Sequence, residues 1–177
     1  MPESTVILNA PAIQRALTRI AHEIAERNDR STEVVVIGIQ RGGVQLAQRM
    51  SVLLAGIWGH AVPVGSVDVS MHRDDIDQHV TPKVHPTVIP FDVGGKTVVL
   101  VDDVLFRGRT VRAAMDALND FGRPKCIQLA VLIDRGHREL PIKADFAGKN
   151  VPTALTETVR VNLSEAGGDD SVRLEKQ

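Results

Sequence analysis

Val98-Val99-Leu100-Val101-Asp102-Asp103-Val104-Leu105-Phe106-Arg107-Gly108-Arg109-Thr110 reads as a strand, an acidic pair and a loop that opens a helix. The run before Asp102 is apolar on both faces, as in a buried parallel strand. A helix follows from about Thr110 to Phe121, and Gly122 and Pro124 stop it. Backbone N–H groups in such a loop, with a helix N-terminus behind them, form a cradle that favours phosphate. Arg107 and Arg109 add positive charge to it. Asp102 and Asp103 suit sugar hydroxyls or a hard cation such as Mg²⁺. No Gly-Lys-Ser/Thr follows, so this is not a Walker loop, nor is it a dinucleotide fingerprint. Spacing alone also allows a plain aspartate cap on a surface turn.

The flanking sequence repeats the pattern. Residues 33–39 (EVVVIGI) form a second buried-strand pattern, ending in the turn Gln40-Arg41-Gly42-Gly43 and a helix through Leu46, Ala47 and Met50. Residues 127–133 form a third, ending in Asp134-Arg135-Gly136-His137-Arg138. Before them, Asn9 is a good N-cap and Pro11 suits a first helical turn. Ile13, Leu17, Ile20 and Ile24 then fall within roughly 60° of helical arc. Arg15, Thr18, Arg19 and His22 face the other way. Residues 62–71 alternate weakly as a strand, and 72–90 are polar, with three prolines and no sustained period. A long segment of that kind inside a compact domain is usually functional. Short segments near 144–146 and 158–163 follow, and the polar tail from about 165 is expected to fray. Strand and helix in alternation predict one α/β domain over 1–177 with a mainly parallel central sheet flanked by helices. Ligands of such sheets sit beyond the C-terminal strand ends. The turns 40–43, 102–110 and 134–138 are therefore expected to converge at one edge.

Composition narrows the functions. Of 177 residues, 21 are Lys or Arg and 22 are Asp or Glu, a net charge of −1, which argues against a general polyanion binder while leaving room for a local basic patch. One cysteine, Cys126, permits neither an internal disulfide nor a cysteine metal cage. Four Phe, one Trp and no Tyr make a base-stacking platform improbable. His60, His79 and His85 stand isolated in polar surroundings, without zinc spacing. The N-terminus does not read as a signal peptide, and no apolar run approaches the ~20 residues of a membrane span. A soluble cytoplasmic protein is the expectation.

The stretch 98–110 resembles the phosphoribosyl pyrophosphate (PRPP) motif of type I phosphoribosyltransferases. Further segments narrow the resemblance to the subfamily that joins uracil phosphoribosyltransferase activity to attenuation of pyrimidine operons. They are 16–23 (ALTRIAHE), 72–75 (HRDD), 108–112 (GRTVR), 122–124 (GRP), 134–142 (DRGHRELPI), 144–146 (ADF) and 148–153 (GKNVPT). The likeness spans residues 5 to 163. It implies the type I phosphoribosyltransferase fold, with a long flexible loop over the site, and transfer of phosphoribose from PRPP to N1 of uracil, giving UMP and diphosphate with Mg²⁺ as cofactor.

By this resemblance Asp102 and Asp103 hold the ribose hydroxyls, with Mg²⁺ carried by PRPP and no protein ligand assigned to it beyond these two. Val104, Leu105, Phe106, Arg107, Gly108, Arg109 and Thr110 wrap the 5′-phosphate. Arg41, Gly42 and Gly43 match the diphosphate loop. Arg73 lies on the long loop that closes over the substrate, and is otherwise an ordinary loop charge. Asp134 and Arg135 face the uracil, Asp134 being otherwise a turn cap. The resemblance also implies UMP- or UTP-dependent binding of pyrimidine-operon leader mRNA. It groups Thr18, Arg19, His22, Arg27, His137, Arg138, Lys143 and Lys149 as the RNA surface. A subunit interface of a homodimer or higher homo-oligomer is the competing use of that face. Four places depart from the subfamily. Phe106 replaces a Tyr, Arg107 a Thr or Ser, and His72 a Tyr, while Arg41-Gly42 replaces a Thr-Arg pair. Arg107 is the serious change, since it lies in the phosphate loop, and it keeps open an RNA-binding nucleotide sensor with little turnover.

Overall fold

A computed structural model describes residues 3–72 and 84–177. The three apolar runs form the centre of a five-stranded parallel sheet. Its strands are β2 (Val34–Ile39), β3 (Val64–Val67), β4 (Thr97–Leu105), β5 (Cys126–Asp134) and β6 (Phe146–Asn150), in the order β3-β2-β4-β5-β6. The expected strand over 62–71 contracts to β3. Successive side chains alternate between two apolar layers. Val34, Val36 and Val99 join α1 (Ala10–Arg27) and α2 (Gly42–Trp58), whereas Val35, Ile37 and Leu100 join α3 (Arg109–Leu118). Burial on both faces is why these strands read as continuous apolar runs.

Local chemistry sets the helix ends. The Asn9 Oδ1 accepts a hydrogen bond from the Ala12 N–H at 3.0 Å, and Pro11 lies in the first turn, as expected. Ile13, Leu17, Ile20 and Ile24 are all buried. α2 ends at Gly59, whose φ of +75° lies in the left-handed region that favours glycine. Among the described residues no helix is long and apolar enough to cross a membrane.

The expectation of a fraying tail is overturned. A second sheet, antiparallel and in the order β1-β8-β7, joins β1 (Ser4–Asn9), β7 (Glu157–Asn162) and β8 (Ser171–Lys176). The tail supplies its central strand. Val172 is fully buried opposite Leu8 and Val161, while Arg160 and Glu175 pair on the exposed side at 2.9 Å. Arg49 of α2 anchors this sheet. Its guanidinium reaches Glu165 at 2.6 Å and Asp170 at 2.6 Å, on the turn between β7 and β8.

Candidate active site

The loops after β2, β4 and β5 meet because these strands are parallel neighbours. Glycine permits the closest approach. A Cβ on Gly43 would lie 2.1 Å from the Val101 carbonyl oxygen, and one on Gly42 would lie 2.1 Å from Asp103 Oδ2. Only bare backbone fits there, so the start of α2 lies directly against the end of β4. The Gln40–Arg41 peptide of this loop is cis.

The cradle forms after β4. Gly108 has φ +92° and is the N-cap of α3, with no side chain capping the helix. A helix N-terminus headed by glycine presents its first-turn N–H groups with no cap side chain between them and an approaching anion. Asp102 and residues 104–111 line a concavity of about 110 Å³ at this point. Val104, Leu105, Phe106, Arg107, Arg109 and Thr110 are thus gathered around Gly108. Arg107 lies with its guanidinium 4.9 Å over the Phe106 ring, which also stacks on Arg135 at 4.0 Å.

Of the acidic pair, Asp102 closes the cradle on its strand side. Asp102 is buried, and its Oδ1 accepts from the Asp103 N–H at 2.9 Å. Asp103 Oδ1 accepts from the Val104 N–H at 2.8 Å, while Oδ2 faces the Gly42 backbone. A second concavity, of about 300 Å³, lies between Arg41, Gly42 and Asp103 on one side and Val161, Leu163 and Ala166 on the other. The small sheet is thus a wall of the site, a role the sequence reading missed.

A magnesium ion suits this donor set. Two adjacent carboxylates offer hard oxygen atoms, and Mg²⁺ is usually held by one or two carboxylates plus waters and substrate phosphates. Among the described residues no group of three or more His, Cys, Asp or Glu could hold a metal ion.

The loop after β5 is tied inward. Asp134 Oδ1 accepts from the Gly136 N–H at 3.0 Å, and Oδ2 pairs with Arg138 at 2.5 Å. Arg138 also donates to the carbonyls of Phe106 and Ile142, both at 2.9 Å. It joins the ends of β4 and β5 and is only part-exposed, unlike the open surface position expected for it. Arg135 is buried and donates to Thr153 Oγ1 and to the carbonyls of Ala154 and Glu157. Burial lowers its guanidinium pKa, with Glu157 opposing. Its charge is directed at the segment before β7. Arg73, like His79, lies outside the described residues.

The remaining basic positions adjoin α1 and β6. Arg19 donates to the Gly148 carbonyl at 2.6 Å and pairs with Glu23, and Arg27 pairs with Asp145 at 2.7 Å. His22, Lys143 and Lys149 are exposed, and Thr18 is half-buried. His137 is exposed too, its Nε2 2.6 Å from the Thr153 carbonyl. His60 is not isolated, since Ser31 Oγ stands 2.8 Å from its Nε2 and Trp58 stacks on its ring.

The phosphoribosyl transferase domain model matches residues 3–159. The "Bifunctional protein PyrR" of Chloroflexus aurantiacus is 59% identical over 94% of this chain and 92% of its own. The protein of that name from Streptomyces coelicolor is 56% identical over 97% and 90%. A hypoxanthine-guanine phosphoribosyltransferase crystal structure from Bacillus anthracis superposes with a TM-score of 0.65 at 18% identity, over 86% of this chain and 84% of its own, and shares the fold.

Proposed function

This chain belongs to the PyrR family of phosphoribosyltransferases, and on that premise we propose that it forms UMP and diphosphate from PRPP and uracil. The observation that carries this reading is the convergence on one edge of a helix N-terminus headed by glycine, a carboxylate pair of which Asp102 is buried, and a bare-backbone loop. PRPP presents three features to match, a 5′-phosphate, two ribose hydroxyls and a diphosphate.

The cradle at 104–110 holds the 5′-phosphate through backbone N–H groups and the N-terminus of α3. Asp102 and Asp103 accept hydrogen bonds from the ribose hydroxyls, and these strengthen as positive charge develops on the ring. Arg41, Gly42 and Gly43 receive the diphosphate. Mg²⁺, when bound with PRPP beside Asp102 and Asp103, neutralises the leaving diphosphate. Uracil N1 bonds to C1′ as the C1′–oxygen bond breaks, and the N1 proton is lost. Asp134 and Arg135 belong to the wall beside the base. Both carboxylate oxygens of Asp134 are engaged by Gly136 and Arg138, so contact with uracil from this wall falls to backbone groups. Arg73, outside the described residues, completes the set of residues in this reading.

The second role is UMP- or UTP-dependent binding of pyrimidine-operon leader mRNA by a cytoplasmic homo-oligomer. His22, Lys143, Lys149 and His137 supply its open contacts, and Thr18, Arg19 and Arg27 border them. Arg138 supports the surface from beneath. Phosphate contacts of this kind weaken steeply with salt. The alternative, a nucleotide sensor with little turnover, draws on Arg107, whose guanidinium rests on Phe106 in the loop that takes the phosphate.

Incubation with Mg²⁺, PRPP and uracil is expected to yield UMP. Absence of UMP, with leader RNA still bound more tightly when UMP is present, would select the sensor.

A further inference from the structure

Glu139 stands on the loop after β5, outside every group assigned above. Its backbone N–H donates to the Arg107 carbonyl at 3.0 Å, which holds the residue beside the cradle. Its carboxylate Oε1 accepts from Arg109 Nε at 2.9 Å and lies 3.9 Å from Arg107 Nε. Both arginines line the cradle's concavity. The ion pair is part-exposed, 27% for Arg109 and 46% for Glu139, so it contributes little to folding. Its consequence lies in binding. A carboxylate and a phosphate monoester offer guanidinium the same kind of oxygen acceptor. A phosphate entering the cradle therefore meets arginines whose charge is already partly answered.

We propose that Glu139 is a built-in competitor for the 5′-phosphate. It orients Arg109 and Arg107 before the ligand arrives, and it limits how tightly the cradle holds any anion. Its repulsion grows with ligand charge as the attraction to the arginines does, so a doubly charged phosphate monoester is the anion it weakens most. This inference rests on residues 104–110 being the 5′-phosphate cradle.

Glu139→Gln tests it, because the amide keeps the side-chain shape and the backbone bond to Arg107 while removing the charge. Calorimetric titration of the whole protein with UMP and, separately, with uridine is the measurement. The variant is expected to bind UMP about 2- to 5-fold more tightly than wild type, the scale of a part-exposed ion pair. Uridine affinity is expected to stay the same, and the UMP gain to shrink as NaCl is raised. UMP bound equally or more weakly by the variant would overturn the proposal, as would an equal gain for uridine. Glu139→Ala is expected to change UMP affinity in the same direction, and it replaces the Gln variant should that one fail to fold. A wild type that binds UMP no better than uridine would instead refute the cradle assignment itself, before any variant is compared.

Discussion

Two arginines on facing loops have opposite prospects. Arg138 donates to three partners, Asp134 and the Ile142 carbonyl on its own loop and the Phe106 carbonyl on the loop after β4. Arg138→Ala is expected to cost about 2 kcal/mol, seen as a lower urea midpoint with an unchanged slope, because it strands a carboxylate and frees the loop that forms the cradle. Arg107→Ala, by contrast, is expected to change stability by no more than about 0.5 kcal/mol, since its guanidinium is exposed and rests on one ring. Asp102→Asn separates chemistry from folding in the same way. Asn keeps the oxygen that accepts from the Asp103 N–H, so the fold is expected to hold. Uracil transfer is expected to fall at least ~10-fold, the scale of one charge-assisted hydrogen bond. Unchanged turnover at unchanged stability would remove Asp102 from the reacting ribose.

At the scale of elements, the contact between α2 and β4 admits no side chain. Gly43→Ala is expected to destabilise the protein by about 2 kcal/mol, because its Cβ would meet backbone, which cannot rotate away. A thermal melt at the wild-type temperature would show that the helix start has room to shift. The elements that build this contact were readable in sequence, since β2, β4 and β5 are buried on both faces and carry short, largely apolar runs. The end of β4 was misplaced, since the polar Asp102 and Asp103 read as closing the strand at Val101, whereas its ladder with β5 carries it through the pair to Leu105. β1 and β8 left no such trace. β1 has one buried residue, Leu8, and β8 has one, Val172, among alternating charges. Their pairing joins Ser4 to Glu175, a partner that local periodicity has no means to reveal. The inward bonds of Arg138 were hidden for a related reason. The resemblance groups it with a basic surface, and its bond across to the Phe106 carbonyl on the loop after β4 is a contact that sequence spacing does not show.

For the whole molecule, the joint between its two sheets is ionic at Arg49. Hydrogen bonds from that guanidinium hold the Asp170 carboxyl at about 2, below its ordinary 3.8, against the opposing effect of burial. They lower Glu165 as well. A depressed carboxyl stabilises the fold fully above its ordinary pKa and ceases to do so as pH falls through the folded value. Asp170→Asn is therefore expected to cost about 2 kcal/mol at pH 7. In denaturant melts across pH, the gap to wild type is expected to close between pH ~4 and ~2. A gap that persists at pH 2 would show that packing, rather than charge, joins the sheets. The position of β8 between β1 and β7 also orders the birth of the protein on the ribosome. The small sheet's strands emerge as β1, then β7, and its middle strand last. All five strands of the parallel sheet have been synthesised once Asn150 is added. β1, the first strand made, must meanwhile keep its ladder groups in water, an open edge that other nascent chains can recruit. The floor with the acidic pair is thus in place before the wall opposite Asp103, and a polypeptide stalled after β7 would carry every residue of the phosphate cradle behind an unfinished pocket.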